Sequence, residues 1–536
     1  MPIVLIDVDG SVLSIPDTYP GVCTCPNHRC RGSRRRSPKN RRSVRAHPGM
    51  RVCGIHIIIR MRPLDTQLGS PTLALATWAA GFRLEHAPVE VVDRMKLLVL
   101  DFFRVVAVGA GLPWSRGARN LMLELGGNGT STVLLYGDRL DAARAAFVNG
   151  AFAHACDLDD THVGSMHHAG ASILPAVFAM AERTQASGKQ VLEAAICGYE
   201  ASLRIGLAVA PSAFHRGFMP TSSSGVLGAA IAAGKLLDFQ AQEMAGALGA
   251  AANFAGGLAQ FYKSGSTIKR INGGHAAESG VVAALLTRHG ISGPTDILEG
   301  ESGFFRAFAD QFDASHIEAA LGQEFRLMEV STKVHAGAGR LQATTDAGLA
   351  LASEHQFTAD QIVDIEAAIP KVIQGRLTHA SPQDMQSAQM SVPFALAIAL
   401  TIGSRRGANA GLRPDDYELG LASSEIQALA VRVRCVLDDE IERATTSEEV
   451  PAKVTVRLAD GRLLTARVAH PRGSPKRRMS MDEVRALFCD TAAPLLPDAQ
   501  IARVTELVTD LDRIERAEEL VTAFTSPPGR PLFNSP

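Results

Sequence analysis

The sequence predicts a mainly α fold, with a large all-helical domain and a smaller α+β unit. Three observations carry this. Ala- and Leu-rich segments with apolar residues three and four apart recur from about residue 71 to 325. Runs that alternate apolar and polar residues then appear, interleaved with helical ones, over 326–475. Helical periodicity returns over 476–525, the pattern of a segment that packs back onto the first domain. The expected organisation is therefore 65–325 with 476–525 as one domain, 326–475 as another, and 1–60 apart from both.

The bulk properties agree with this division. The chain has 536 residues, and single cores stop growing near about 250–300 residues, so at least two domains are expected. Only 5% of residues are aromatic, while Ala and Gly are abundant, which suits closely packed helices. A net charge of −1 gives the whole chain no nucleic-acid footprint. No apolar run approaches the roughly 18–20 residues of a membrane span. Eight cysteines spread over this length are too sparse for a disulfide scaffold, so a reducing, cytoplasmic setting is expected.

Residues 1–60 differ in texture. "MPIVLIDVDGSVL" reads as a short strand and turn, and it mimics a DxDG phosphatase nucleophile motif. That fold needs a βαβ unit next, and a basic tract, "HRCRGSRRRSPKNRRSVRAHPGMR", follows instead. The tract has no acid and is expected to be disordered or an extension foreign to the fold. If it is a transit peptide, the location is mitochondrial. Cys23, Cys25, His28 and Cys30 imitate a zinc knuckle, but their spacing matches no usual finger, so no metal is expected there.

Helical segments are expected at "TLALATWAAGF", at "VEVVDRMKLLVLDFFRVVAVGA", and at 139–157, 171–185, 189–209, 221–236, 240–256, 274–289 and 314–321. Gly, Pro and Ser breaks separate them. In the α+β unit, "IVDIEAAIP" and "QALAVRVRCVLD" read as strands, and "AKVTVRLADGRLLTARVAH" as a hairpin around Asp460-Gly461. Helices are expected at 339–354 and 390–404. Ser480 is placed to cap the helix that opens the C-terminal return, and the tail "TSPPGRPLFNSP" should fray.

Three stretches carry chemistry. "AHACDLDDTH" gathers Asp157, Asp159 and Asp160 between His154 and His162. As a helix over 150–161 it would place His154, Asp157 and Thr161 on one face. A metal site, an acid/base site and a capped polar helix end all remain open on spacing. His167 and His168 follow in the loop entering the next helix, whose N-terminus favours anions. "KSGSTIKRINGGHAAESG" sets Lys263, Lys269 and Arg270 among glycines and small hydroxyls such as Ser266. "STKVHAGAGR" puts Lys333 and His335 at the junction of the two textures, where ligand clefts are common.

These stretches resemble the MmgE/PrpD family. "FVNGAFAHACDLDDTH" resembles its NGxxxHxxDxDDTH segment, and "HHAGASILPA" its HPGAxxxPA. "GFMPTSSSGVLGAAIAAGKLLDF" resembles GFHPTSTSGxxGAAxAAxKLLGL. "GSTIKRINGGHAAESGVVAALL" resembles GSxxKRxHxGxAAxxGxxAALL, and "GPTDILEGESGFF" resembles GPxxxLEGxxGF. The likeness spans roughly 70–525. It implies a helical domain with a lid domain, a site between them, no metal or other cofactor, and a homodimer. It further implies a lyase, either dehydratase or decarboxylase, acting on a small di- or tricarboxylate. An epimerase or isomerase of an amino- or imino-dicarboxylate is the alternative, and a degenerate member that only binds ligand is a further one. Position by position, the likeness makes His168 the proton-transfer group, oriented by Asp157, with Thr161 as a hydrogen-bond donor. Lys269 and Lys333 become the carboxylate-binding cations. Arg270, His335 and Ser266 are the remaining substrate-binding candidates, and Asp159 falls to a structural role. The pattern departs at Met219 and Asn272, where the family has histidines. It departs again at His335 and Gln342, where it has a tyrosine and a histidine, and at Val392, where animal-type cis-aconitate decarboxylases have a tyrosine.

Overall fold

The computed structural model describes residues 70–261, 266–355, 357–446, 449–529 and 532–533, with residues 5–6 and 12–13. The chain divides into two compact units, Met1–Leu64 and Asp65–Pro536. In the first, Leu5–Ile6 and Val12–Leu13 pair as short antiparallel strands. The rest of the DxDG segment, the basic tract, the set at Cys23, Cys25, His28 and Cys30, and Lys263 lie outside the described residues.

The second unit is mainly helical, and its helices start where capping chemistry allows. Ser70 accepts from the amide of Leu73 ahead of Pro71–Gly81, with Pro71 in the first turn. Asp141 accepts from two amides ahead of Ala142–Ala153. Ser187 and Gln190 form a capping box on Gly188–Val209. Pro220–Leu236 is buried along its whole length, as expected for a helix that is apolar or small-sided all round. Ser480 and Glu483 form the expected capping box on Met481–Ala492.

One helix crossing positions the site. A methyl group on Gly150 would lie 2.6 Å from the Cα of Gly274, so Ala142–Ala153 and Asn272–Arg288 meet backbone to backbone. The C-terminus of the first helix, where the Asp/His stretch begins, is thereby brought beside the 3₁₀ turn Thr267–Ile271 that precedes the second.

The expected helix through 139–157 stops at Ala153, with His154 as its C-cap. Asp157 has φ +55°, the left-handed region, where Asp is one of the few tolerated side chains. Thr161 then pairs with Ser331 through two backbone hydrogen bonds of 2.8 and 2.9 Å. His154, Asp157 and Thr161 therefore do not share the expected helix face, because the acids lie on an irregular excursion rather than a helix. The segment at 314–321 is also shorter than expected, a single turn Ser315–Glu318.

Buried hydrophobic residues fall into two clusters. One draws on 75–334 and 479–524. The other draws almost wholly on 336–468, with Val105, Cys156 and Leu158 reaching into it. The second cluster includes a four-stranded sheet. Val433–Leu437 runs parallel to Ile362–Ile369, which pairs antiparallel with Ala452–Leu458, and that with Leu463–Val468. The last two form the expected hairpin, with Gly461 at φ +88° in its turn. "QALAVRVRCVLD" is a strand only in its second half. Ser424–Val431 is helical, because Ile426, Leu429 and Ala430 turn inward at helical spacing. Helices Gln342–His355 and Val392–Arg406 cover this part. The tail does not fray at Leu532 and Phe533, which pack on the first cluster, Phe533 against the Tyr136 ring at 6.1 Å.

Candidate active site

The centre of the site is a buried carboxylate gripped by two lysines. Lys269 Nζ lies 2.7 Å from one oxygen of Asp157, and Lys333 Nζ 2.9 Å from the other. Lys333 also donates to the Asp157 carbonyl at 2.6 Å and to the Gly337 carbonyl at 3.4 Å. All three side chains are buried. Burial alone would raise the Asp157 carboxyl, but Lys269 and Lys333 hold it well below the usual carboxylate range. The left-handed turn at Asp157 aims its carboxylate at both ammonium groups.

Asp159 belongs to the same cluster. Its carboxylate accepts from His154 Nδ1 at 2.7 Å and lies 3.5 Å from His168 Nδ1 and 3.8 Å from Lys333 Nζ. Burial would raise it, yet His168 and His154 hold it low. The carboxylate beside His168 is thus Asp159 rather than Asp157, whose oxygens belong to the lysines.

His168 precedes the helix Ala169–Thr184. Its Nδ1 lies 2.9 Å from the Asp160 carbonyl. A carbonyl oxygen only accepts, so Nδ1 carries the proton and Nε2 is the basic nitrogen. Burial pushes the imidazole down to about 3, against the pull of Asp159, so the ring is neutral near pH 7. Asp160 itself accepts from the Gly170 amide at 2.8 Å and the Tyr199 hydroxyl at 2.8 Å. Burial pushes its carboxyl up to about 7.

Arg270, next to Lys269, donates to Gln389 at 2.6 Å and lies over the Trp114 ring at 5.2 Å. Gln389 in turn donates to the Cys156 carbonyl at 2.7 Å. One nitrogen of Arg270, Nη1, is buried without a partner among the described residues. A cleft lined by Thr161, Ser331, Thr332, Lys333, Gly339 and Gln342 opens beside this cluster.

The helix Val89–Gly109 fixes Lys333 from behind. Arg104 donates to the Lys333 carbonyl at 2.8 Å and pairs with Asp101 at 2.7 Å. Arg94 donates to the Val330 carbonyl at 2.5 Å. Of the six charged residues in this helix, Arg94, Asp101 and Arg104 are buried on its apolar side, and a charge set among apolar neighbours is the sequence signal for this clamp. Gln389, on the segment before Val392–Arg406, offered none.

Of the residues expected from sequence, the fold brings together Asp157, His168, Lys269, Arg270 and Lys333, with Thr161 at the cleft. Two stand aside. His335 Nε2 donates to Asp346 at 2.9 Å and its Nδ1 accepts from the Leu412 amide at 3.2 Å, so both nitrogens are committed to holding the fold. Ser266 is exposed and caps the Thr267–Ile271 turn. Gln342 is likewise structural, since its side chain bonds both backbone groups of His335.

His154, Asp159 and His168 present ligand atoms within 4.8 Å of one another. Both Nδ1 atoms are engaged, His168 with the Asp160 carbonyl and His154 with Asp159, and the Lys333 ammonium stands 3.8 Å from that carboxylate, a positive charge that opposes a cation there.

The MmgE/PrpD N-terminal domain matches residues 73–317, and the MmgE/PrpD C-terminal domain matches 335–513. The chain belongs to the MmgE/PrpD family. Among its relatives is a cis-aconitate decarboxylase-like protein, oryM, of Aspergillus oryzae, 26% identical over 485 residues, covering 86% of this chain and 98% of that one. A cis-aconitate decarboxylase of Aspergillus terreus is 27% identical over 484 residues, covering 86% and 97%. A cis-aconitate decarboxylase of Homo sapiens is 26% identical over 484 residues, covering 88% and 98%. The two family domains join near 318–334, the stretch that delivers Lys333 to the site. The helices that carry Asp157, His168 and Lys269 to it belong to the MmgE/PrpD N-terminal domain.

Proposed function

We propose that this MmgE/PrpD chain is a metal-independent lyase, a dehydratase or decarboxylase of a small di- or tricarboxylate of the citrate or aconitate type. The observation that carries the reading is a neutral imidazole beside a buried excess of positive charge. Three cations, Lys269, Arg270 and Lys333, stand against two ionised carboxylates, Asp157 and Asp159. Such a site favours a polyanion and stabilises negative charge on a carbon next to a carboxylate.

Roles follow from unspent hydrogen-bonding capacity. Lys333 is saturated by Asp157 and Gly337, so its charge acts from a fixed position. Lys269 contacts only Asp157 among the described residues, which leaves ammonium protons for a substrate carboxylate. Arg270 Nη1 supplies a further buried donor. His168 Nε2 takes a proton from the carbon being ionised in dehydration; in decarboxylation it takes one from solvent and passes it to the carbon left by CO2. Asp159 and the Asp160 carbonyl keep its ring oriented. In this reading the part built on 336–468 is a lid over the cleft, and the acting form is a homodimer.

The test is a polycarboxylate panel followed by NMR in D2O with the wild type, H168A and K269A. Loss of water or CO2 from one acid, abolished in both variants, supports the reading. Turnover intact in both variants overturns it. Solvent deuterium entering recovered substrate without loss of water or CO2 identifies an epimerase instead, and binding without any turnover a degenerate member.

A further inference from the structure

The helix Pro414–Ala422 carries Tyr417, whose side chain is fully buried in the second hydrophobic cluster. Among the described residues its hydroxyl has no hydrogen-bond partner. A buried, unpaired hydroxyl is costly, and phenylalanine would fill the same space without that cost. The position of the hydroxyl explains its presence. It lies 3.0 Å from where a methyl group on Gly337 would stand, and the Gln389 carbonyl lies at the same distance from that point. Gly337 donates its amide to the Asp157 carbonyl at 3.0 Å and accepts from Lys333 at 3.4 Å. Gln389 holds Arg270. The phenol therefore stands against the same short turn that carries both the Asp157–Lys333 pair and the support of Arg270.

We propose that Tyr417 is a catalytic residue of this site, a phenolic hydrogen-bond donor to the substrate carboxylate at which negative charge develops. This rests on the polycarboxylate reading above. The phenol is suited to donating rather than ionising, since burial, with Asp157 adding to it, raises its pKa. A neutral O–H gives a hydrogen bond to an oxyanion without adding a fourth formal cation to the cluster. Gly337 is then required for access, because a side chain there would press on the hydroxyl.

The chain has five tyrosines, so tyrosine labelled with carbon-13 at Cζ gives a spectrum simple enough to assign. The signal lost in Y417F is that of Tyr417. Cis-aconitate and citrate are the probes, and turnover is measured on whichever acid of the panel reacts. The expected result is a shift of the Tyr417 signal on adding the acid. Y417F should keep the wild-type fold by circular dichroism while kcat falls on the order of 10²-fold and KM moves less than about threefold. G337A, which keeps the hydroxyl but displaces it, should lose kcat in parallel. An unmoved Tyr417 signal with an active wild type, or an active Y417F, overturns the role of Tyr417 and leaves the polycarboxylate reading standing. No signal moving and no acid turned over by the wild type overturns both.

Discussion

The backbone carbonyl of Asp160 fixes the tautomer of His168: at 2.9 Å from Nδ1 it can only accept, so the basic lone pair is on Nε2. The ring is also held neutral by burial, with its pKa near 3. An exposed histidine of ordinary pKa would give kcat/KM an acid limb near pH 6.5. His168 should give none there, because it remains unprotonated across pH 5–8. H168N should lower kcat about 10²- to 10⁴-fold with the fold retained. A pH profile of kcat/KM with the reacting acid checks both points.

Asp160 titrates where His168 does not. Its folded pKa of about 7 lies above the ordinary 3.8, so the folded state binds the proton more tightly than the unfolded chain. Its contribution is fully present below about pH 4 and is lost as pH rises toward 7. D160N keeps the shape and can still accept from Gly170 and meet Tyr199. Thermal unfolding from pH 4 to 7.5 should therefore show a flatter dependence in D160N than in the wild type.

Asp157 is the carboxylate shared by two buried ammonium groups, so its loss strips Lys269 of its ion pair and leaves Lys333 only the more distant Asp159. D157N should cost about 3–5 kcal/mol of stability and abolish turnover. Urea unfolding at pH 7.5 measures the first, and the NMR assay the second. A variant as stable as the wild type would mean that the ion pairs contribute little to holding these elements together.

Arg104 and Asp101 form a pair buried within one helix, and Arg104 also holds the Lys333 carbonyl. R104L alone strands a buried carboxylate and should destabilise by about 3–5 kcal/mol. D101L/R104L removes both charges and should recover part of that loss, while KM for the acid stays raised because Lys333 is no longer anchored. Urea titrations of the two variants and the wild type separate the pair from the anchor.

Prolonged dialysis against EDTA should leave kcat and KM unchanged, and added Zn2+ or Mg2+ should not raise them. Recovery of a lost activity by one ion would instead assign that ion to His154, Asp159 and His168.

The helices were legible in the sequence because their periodicity and caps are local. Ser480, read as a cap from the sequence, marks a true start. The hairpin at Asp460-Gly461 was legible for the same reason. What failed was the excursion at 154–161. Its conformation is set by partners far along the chain, Lys269, Lys333 and Ser331, and no local propensity reports them. The family resemblance supplied the residues that meet, but not which carboxylate faces which cation. Helical spacing turns Asp159 away from His154, yet the two are hydrogen-bonded at 2.7 Å, because without a helix that spacing has no meaning. In the sequence alone, His335 near a glycine-rich junction looks like an available imidazole. Its two partners, Asp346 and the Leu412 amide, are visible only once the chain is folded.

The grip of Lys269 and Lys333 on one carboxylate also constrains how this chain can change over generations. Losing Asp157 first strips Lys269 of its ion pair and raises the buried charge by one, whereas losing Lys269 first leaves Asp157 paired with Lys333. The two orders of change are therefore not equivalent. A lineage can shed a lysine through an intermediate that keeps a paired carboxylate at the heart of the protein, but it cannot shed the aspartate that way. The three positions are inherited with a preferred order of loss.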